Sequence, residues 1–292
     1  MHPLIRQLLA LGPVITDGAW GTQLQARGLA VGEFPDAWNL THADRVAEVA
    51  RAYVQAGSQV ILTNTFGANR IRLGEAALAG SVAEINQRGV EISRAAAGDR
   101  ARVFASIGPT GKLLLSGEVT EDEVRAAFAE QARALAEGGA EALVVETMSD
   151  LAEALLAVSG ARETGLPVVA CMVYDSGKNK DRTMMGTTPE QAAAALTAAG
   201  AEVIGANCGQ GIAGFAALGQ RLRAATDRPI WLKPNAGLPA VVEGRLQYRA
   251  TPEEFASYVP ELIKLGAGFV GGCCGTGPDF IAAIKRHWAP AR

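Results

Sequence analysis

The strongest constraint on the fold is an alternation that runs the length of the chain. Short β-branched runs at Val14–Asp17, Val60–Asn64, Val103–Ile107, Leu143–Glu146, Val168–Tyr174, Val203–Asn207, Ile230–Pro234 and Phe269–Gly272 are separated by segments of helical periodicity. Val46, Val49, Tyr53 and Val54 share one helical face, as do Val124, Phe128, Ala132 and Leu135, and as do Ile281, Ile284, Lys285 and Trp288. Thr120–Glu123, Thr188–Gln191 and Thr251–Glu254 fit the capping-box pattern that starts a helix, the last two with proline at the first helical position. The second, fourth, sixth and eighth runs are entered through Gly57, Gly139, Gly200 and Gly266, each suited to the left-handed residue that ends a helix. The fifth and seventh begin after Pro167 and Pro229 instead. Eight βα units with a two-strand period predict one closed (β/α)8 TIM-type barrel over residues 1–292, as a single domain. An open doubly wound sheet is the alternative, but no G-x-G-x-x-G follows the first strand.

Composition narrows the function classes. A net charge of −3, a pI near 5.7 and the lack of any Lys/Arg cluster argue against nucleic-acid binding. No window approaches the run of about 18 apolar residues that a membrane span needs. Arg6 and Gln7 interrupt the N-terminal apolar stretch, a poor signal peptide. The expectation is a cytoplasmic protein, in which thiols stay reduced.

In a barrel of this kind, functional residues gather where strands end at the C-terminal face. The first run ends in Asp17, the second in Asn64, the fourth in Glu146 and the seventh just before Asn235. Cys208 follows the sixth run, in GANCGQG, and Cys273 and Cys274 follow the eighth, in GGCCGT. Three of the four cysteines thus fall on one rim, whereas Cys171 sits in mid-strand and is expected to fill the core. Three converging thiolates favour zinc, leaving a fourth tetrahedral position open. The glycines around the pair suggest a backbone turning tightly around the ion. Plain core packing of the thiols and a vicinal redox pair are the competing readings.

Three thiolates outweigh the double charge of zinc, so such a centre is a weak Lewis acid and a poor generator of hydroxide. It suits a fourth thiolate, because a thiol loses its proton on binding a metal. A thiol substrate and alkyl transfer to its sulfur follow. Asp17 and Glu146 are candidates to hold an ammonium group on that substrate, or to order loops and cap helices. Asn235 is a candidate carbonyl-oxygen donor to zinc when substrate is absent, or a turn residue.

The segments DGAWGTQLQ, TNTFGAN, ETMSD, NCGQG, PNAGLP and GGCCGT resemble, in that order, the homocysteine S-methyltransferase family, from about Val14 to Pro278. TNTFGAN and PNAGLP are most similar to the homocysteine-binding module of cobalamin-dependent methionine synthase. The resemblance implies a (β/α)8 barrel in which zinc on Cys208, Cys273 and Cys274 activates the homocysteine thiol for methylation to methionine. It puts Asp17 and Glu146 where the family contacts the homocysteine amino group. No Asp-x-His-x-x-Gly cobalamin signature occurs, and the histidines are His2, His42 and His287. The expected methyl donor is therefore methylcobalamin on a separate corrinoid protein, or a small sulfonium such as S-methylmethionine or S-adenosylmethionine.

Trp20, Phe66 and Tyr174 lie near strand ends, either as faces for a sulfonium or as cover for the barrel mouth. Lys178, Lys180 and Arg182 follow the fifth strand in what reads as a solvated loop. Two other function classes stay open: a non-catalytic subunit that binds homocysteine or docks a corrinoid protein, and a thiol redox protein using Cys273 and Cys274.

Overall fold

Each predicted run contains a strand. The computed structural model describes residues 1–238, 240–242 and 245–288; Pro239, which ends the PNAGLP motif, and the chain end at Arg292 lie outside them. The barrel strands are β1 (Val14–Ile15), β2 (Val60–Ile61), β3 (Arg102–Ile107), β4 (Ala142–Met148), β5 (Val168–Met172), β6 (Val203–Gly211), β7 (Ile230–Asn235) and β8 (Ala267–Val270). They form one eight-stranded sheet in the order β1-β8-β7-β6-β5-β4-β3-β2, and every pair is parallel. At the seam between β1 and β2 the link is made largely by side chains. Gln59 N–H donates to Ile15 O (2.7 Å), and its Oε1 accepts from Ile15 N–H (2.9 Å). One layer further up, Leu62 N–H donates to Asp17 Oδ2 (2.7 Å). The result is a TIM-type (β/α)8 barrel, with helices packed around it.

The helix-ending glycines carry the backbone the pattern predicted: Gly57, Gly139, Gly200 and Gly266 have φ of 108°, 92°, 92° and 99°. Thr120 and Thr188 make full capping boxes, but Thr251 makes only its own half, accepting from Glu254 N–H. The helix it starts breaks after Ser257 and resumes at Val259–Lys264, with Pro260 in the new first turn. Lys285, counted on a buried face by periodicity, is exposed, and its aliphatic stem lies over Gly57. The periodicity also gave no sign of the antiparallel pair Ala240–Val242 and Arg245–Gln247 after β7.

Two apolar clusters hold the barrel. The larger fills the space between strands and helices. The smaller lies inside the barrel and includes Val60, Phe104, Val144, Val169, Trp231 and Phe269. The N-terminal helix Pro3–Leu9 contributes Ile5 to this inner cluster and so packs into the end opposite the strand C-termini. Cys171 also lies there, fully buried, as expected of a core filler. Trp231 is accommodated because β6 has glycine at position 205: a Cβ there would overlap the Trp231 backbone and side chain and the Cys171 sulfur. Gly205→Ala is therefore expected to destabilise the barrel by about 1–3 kcal/mol through overpacking, measured as a lowered midpoint in urea unfolding.

Candidate functional site

Above the inner apolar cluster the barrel interior turns polar. Ser106, Glu146, Asn207, Lys233 and Asn235 come from β3, β4, β6 and β7, and all are buried. They stand at the C-terminal end of the barrel, beside a cavity of about 460 Å³. Cys208, Cys273, Cys274, Glu146 and Lys233 line it, together with Trp20, Phe34, Asp36, Phe66 and Arg72.

The three rim cysteines converge. Their sulfurs all lie within 4.8 Å of one another, and Cys208 Sγ and Cys274 Sγ are 3.9 Å apart. Four ligands at the usual zinc–sulfur distance of about 2.3 Å stand about 3.8 Å apart in a tetrahedron, so the spacing suits one metal ion. Cys208 sits at φ 62°, a left-handed conformation uncommon for a residue with a side chain, followed by Gly209 at 75°. Thr147, at the end of β4, is held the same way at φ 61°. Such strained residues collect at functional sites, where surrounding contacts hold them. Here the Asn207 amide provides some of that hold: its Oδ1 accepts from Thr147 N–H (2.8 Å) and its Nδ2 donates to Thr147 Oγ1 (2.7 Å).

The vicinal pair is fixed by the backbone. Cys273 N–H donates to Pro234 O (2.7 Å), Ala236 N–H donates to Cys274 O (2.9 Å), and the Thr276 hydroxyl donates to Cys273 O (2.6 Å). The tight turn expected of the flanking glycines is made at Gly275, where Thr276 N–H donates to Cys273 O (3.1 Å), while Gly271 and Gly272 answer to close packing. A Cβ on Gly271 would overlap Thr16 and one on Gly272 would overlap Thr276; only Gly275 has the positive φ, at 82°, and the ring of Tyr248 lies where its Cβ would go. The neighbouring Cys273 and Cys274 thiols hold the Cys208 thiol below its ordinary range. The Cys273 and Cys274 thiols are pushed up in turn, through their hydrogen bonds to Cys208 and its nearby charge. Asn235 also approaches the Cys208 sulfur, and its Oδ1 is buried with no hydrogen-bond partner. An orphaned carbonyl oxygen beside three sulfurs fits a metal-centred donor set.

The two carboxylates singled out by sequence take different positions. Glu146 faces the cavity, with Oε1 accepting from the Ser106 hydroxyl (2.5 Å). Burial pushes its carboxyl above the ordinary value, while Lys233 and the Ser106 hydroxyl pull it down. Asp17 is fully buried and is not among the cavity-lining residues. Its Oδ2 accepts from Leu62 N–H and from the Trp20 indole N–H, both at 2.7 Å, and its Oδ1 accepts from Lys233 Nζ (2.5 Å). Burial is the largest influence on the Lys233 ammonium and pulls its pKa down, but the charges of Asp17 and Glu146 overcome it and leave the group raised.

Lys233 is the site residue that sequence reasoning missed. Its signal was present: a lysine within IWLKPN, a run that otherwise reads as buried strand, needs an anionic partner. Asn207 and Ser106 escaped notice because short polar residues near strand ends are ordinary. Trp20 and Phe66 do line the cavity, and the Trp20 indole is tied to Asp17; Tyr174 is buried outside it. Lys178, Lys180 and Arg182 are exposed, away from the cavity. Among the described residues no helix is long and apolar enough to cross a membrane.

Comparison with known proteins shows the family. Residues 14–288 match the family described as homocysteine S-methyltransferase. The chain is 33% identical to methionine synthase of Mycobacterium leprae (strain TN) over 300 residues and to methionine synthase of Mycobacterium tuberculosis (strain ATCC 25618 / H37Rv) over 302 residues. Each alignment takes in 96% of this chain but 25% of the relative, so the chain spans about a quarter of their length. The crystal structure of the homocysteine methyltransferase MmuM from Escherichia coli, in its metallated form, superposes with a TM-score of 0.79 over 97% of this chain and 99% of that one. Its sequence is 23% identical, and the likeness is one of fold. With nearly its whole length matched, the chain belongs to the homocysteine S-methyltransferase family of enzymes.

Proposed function

We propose that this protein transfers a methyl group to the thiol of homocysteine, giving methionine, with a zinc ion held by Cys208, Cys273 and Cys274. The observation that carries the reading is the convergence of three sulfurs within 4.8 Å on the wall of the only cavity, among those described, that reaches the polar end of the barrel. A zinc ion there favours the thiolate form of a substrate thiol, the form that attacks an alkyl group. The protein's own residues do the rest. The backbone contacts of Cys273 and Cys274 fix the ligand set in advance, and the Asn235 oxygen is a donor for the metal in the absence of substrate. Glu146 takes the substrate ammonium. Asp17, engaged by Lys233, Trp20 and Leu62, acts on the substrate through those neighbours. The part of the cavity walled by Trp20, Phe34 and Phe66 is left for the incoming methyl donor. Catalysis then rests on generating the thiolate and aligning it with the donor methyl.

Methionine formation by the zinc-loaded protein tests the proposal, with S-methylmethionine, S-adenosylmethionine and methylcobalamin supplied as donors in separate reactions. Turnover with a sulfonium identifies a self-sufficient enzyme; turnover only with methylcobalamin identifies one served by a separate corrinoid protein. No methionine with any donor, from protein that still binds zinc and homocysteine, would favour a non-catalytic binding subunit. A Cys273–Cys274 disulfide in metal-free protein, detected by a thiol count before and after reduction, would instead favour a redox role.

Cys208→Ala is expected to abolish stoichiometric zinc binding in elemental analysis and methionine formation with it. Glu146→Gln is expected to raise KM for homocysteine by about 30-fold, the effect of removing one partner of a buried charge pair, with a smaller change in kcat. Its effect on stability has the opposite sense. Because the Glu146 carboxyl is held above its ordinary value, folding stability falls as pH rises from the ordinary carboxylate range through that raised value. Glutamine carries no such ionisation, so the variant is expected to melt at or above the wild-type temperature at pH 7, as read by thermal denaturation.

A further inference from the structure

Lys233 is buried, lines the cavity, and makes one hydrogen bond among the described residues, to Asp17 Oδ1. An ammonium group has three N–H donors, and buried donors are normally paired. Asp17 cannot follow a displaced lysine, because its other oxygen is held by Leu62 N–H and the Trp20 indole. Lys233 is thus an anchored cation with donor capacity to spare, on the wall of the cavity that also holds the cysteine cluster. Glu146 lines the same wall, close enough for its charge to act on Lys233. A cation and an anion side by side, next to a thiol-binding centre, complement a ligand that has a sulfur at one end and a zwitterionic head at the other.

We propose that Lys233 receives the α-carboxylate of the thiol substrate while Glu146 receives its ammonium group, which makes Lys233 the residue that selects an amino acid over a simple aminothiol. The assignment rests on the homocysteine reading above. It adds a specificity determinant from mid-strand β7 to the residues that bind metal. Sites built to hydrogen-bond a substrate group reject analogues that lack it, because the buried protein group is then left without its partner.

The test is isothermal titration of zinc-loaded protein with three ligands: homocysteine; 3-aminopropane-1-thiol, which lacks the carboxylate; and 4-mercaptobutanoate, which lacks the ammonium. The wild type is expected to prefer homocysteine to 3-aminopropane-1-thiol by about 30-fold or more. In Lys233→Met that preference collapses and 4-mercaptobutanoate binding weakens, while 3-aminopropane-1-thiol binding changes little. Since Lys233→Met leaves Asp17 buried without its counter-charge, the double variant Asp17→Asn/Lys233→Met is measured beside it and is expected to lose the same preference. A wild type indifferent to the carboxylate overturns the assignment, as does a folded variant that keeps the preference or loses affinity for all three ligands alike. Zinc-loaded wild type that binds no homocysteine overturns the functional reading itself, and this assignment with it.

Discussion

Where β1 meets β2, backbone groups that would normally pair with a neighbouring strand find side chains instead, and one of these is the Asp17 carboxylate. One of its oxygens replaces a strand carbonyl for Leu62 N–H; the other holds the ammonium of Lys233. Closing the barrel and setting the charge beneath the site are therefore done by the same group. A buried carboxylate is costly unless it is both paired and hydrogen-bonded, and here it is both. The same constraint positions the Trp20 indole over the mouth. Geometry at the seam is thereby transmitted to the cavity wall without a flexible intermediary.

The barrel interior shows how one fold serves stability and chemistry without mixing them. Phe104, Trp231 and Phe269 stack through the inner cluster, with ring centroids 6.2 Å and 5.1 Å apart for the pairs that include Trp231. Immediately above, on the same strands as Phe104 and Trp231, Ser106 and Lys233 take over. Alternate residues of a strand share a face, so Phe104 and Ser106, and Trp231 and Lys233, each mark the step from packing to polar layer. Strand length sets that boundary.

Much of this was legible in the sequence because it depends on local rules. Strand–helix alternation, the helix-ending glycines and two capping boxes are short-range patterns, and each is realised in the fold. The convergence of Cys208 with Cys273 and Cys274 needed only the barrel topology, which brings the ends of β6 and β8 to one rim. What stayed hidden depends on partners far apart along the chain. Asp17 reads as an available carboxylate until Lys233 is placed 216 residues away in sequence and beside it in space. The glycines of GGCCGT read only as a tight turn until Thr16 and Tyr248 are seen in the volume that Cβ atoms on Gly271 and Gly275 would need. The N-terminal helix, too short to show periodicity, gives no hint that Ile5 belongs to the barrel interior.

The division of the three rim cysteines between two strands has a mechanical consequence. β6 and β8 are not neighbours; β7 lies between them, and Cys208 and Cys274 are 66 residues apart in sequence. Any ion shared by their sulfurs bridges over β7 and closes a chain loop of that length, as a cross-link does. It also bears on Cys208, the residue whose backbone is held in an uncommon conformation. Occupancy by such an ion would be linked to rim rigidity by mass action, while the opposite end of the barrel, packed around Ile5 and the inner aromatic stack, would have no stake in it.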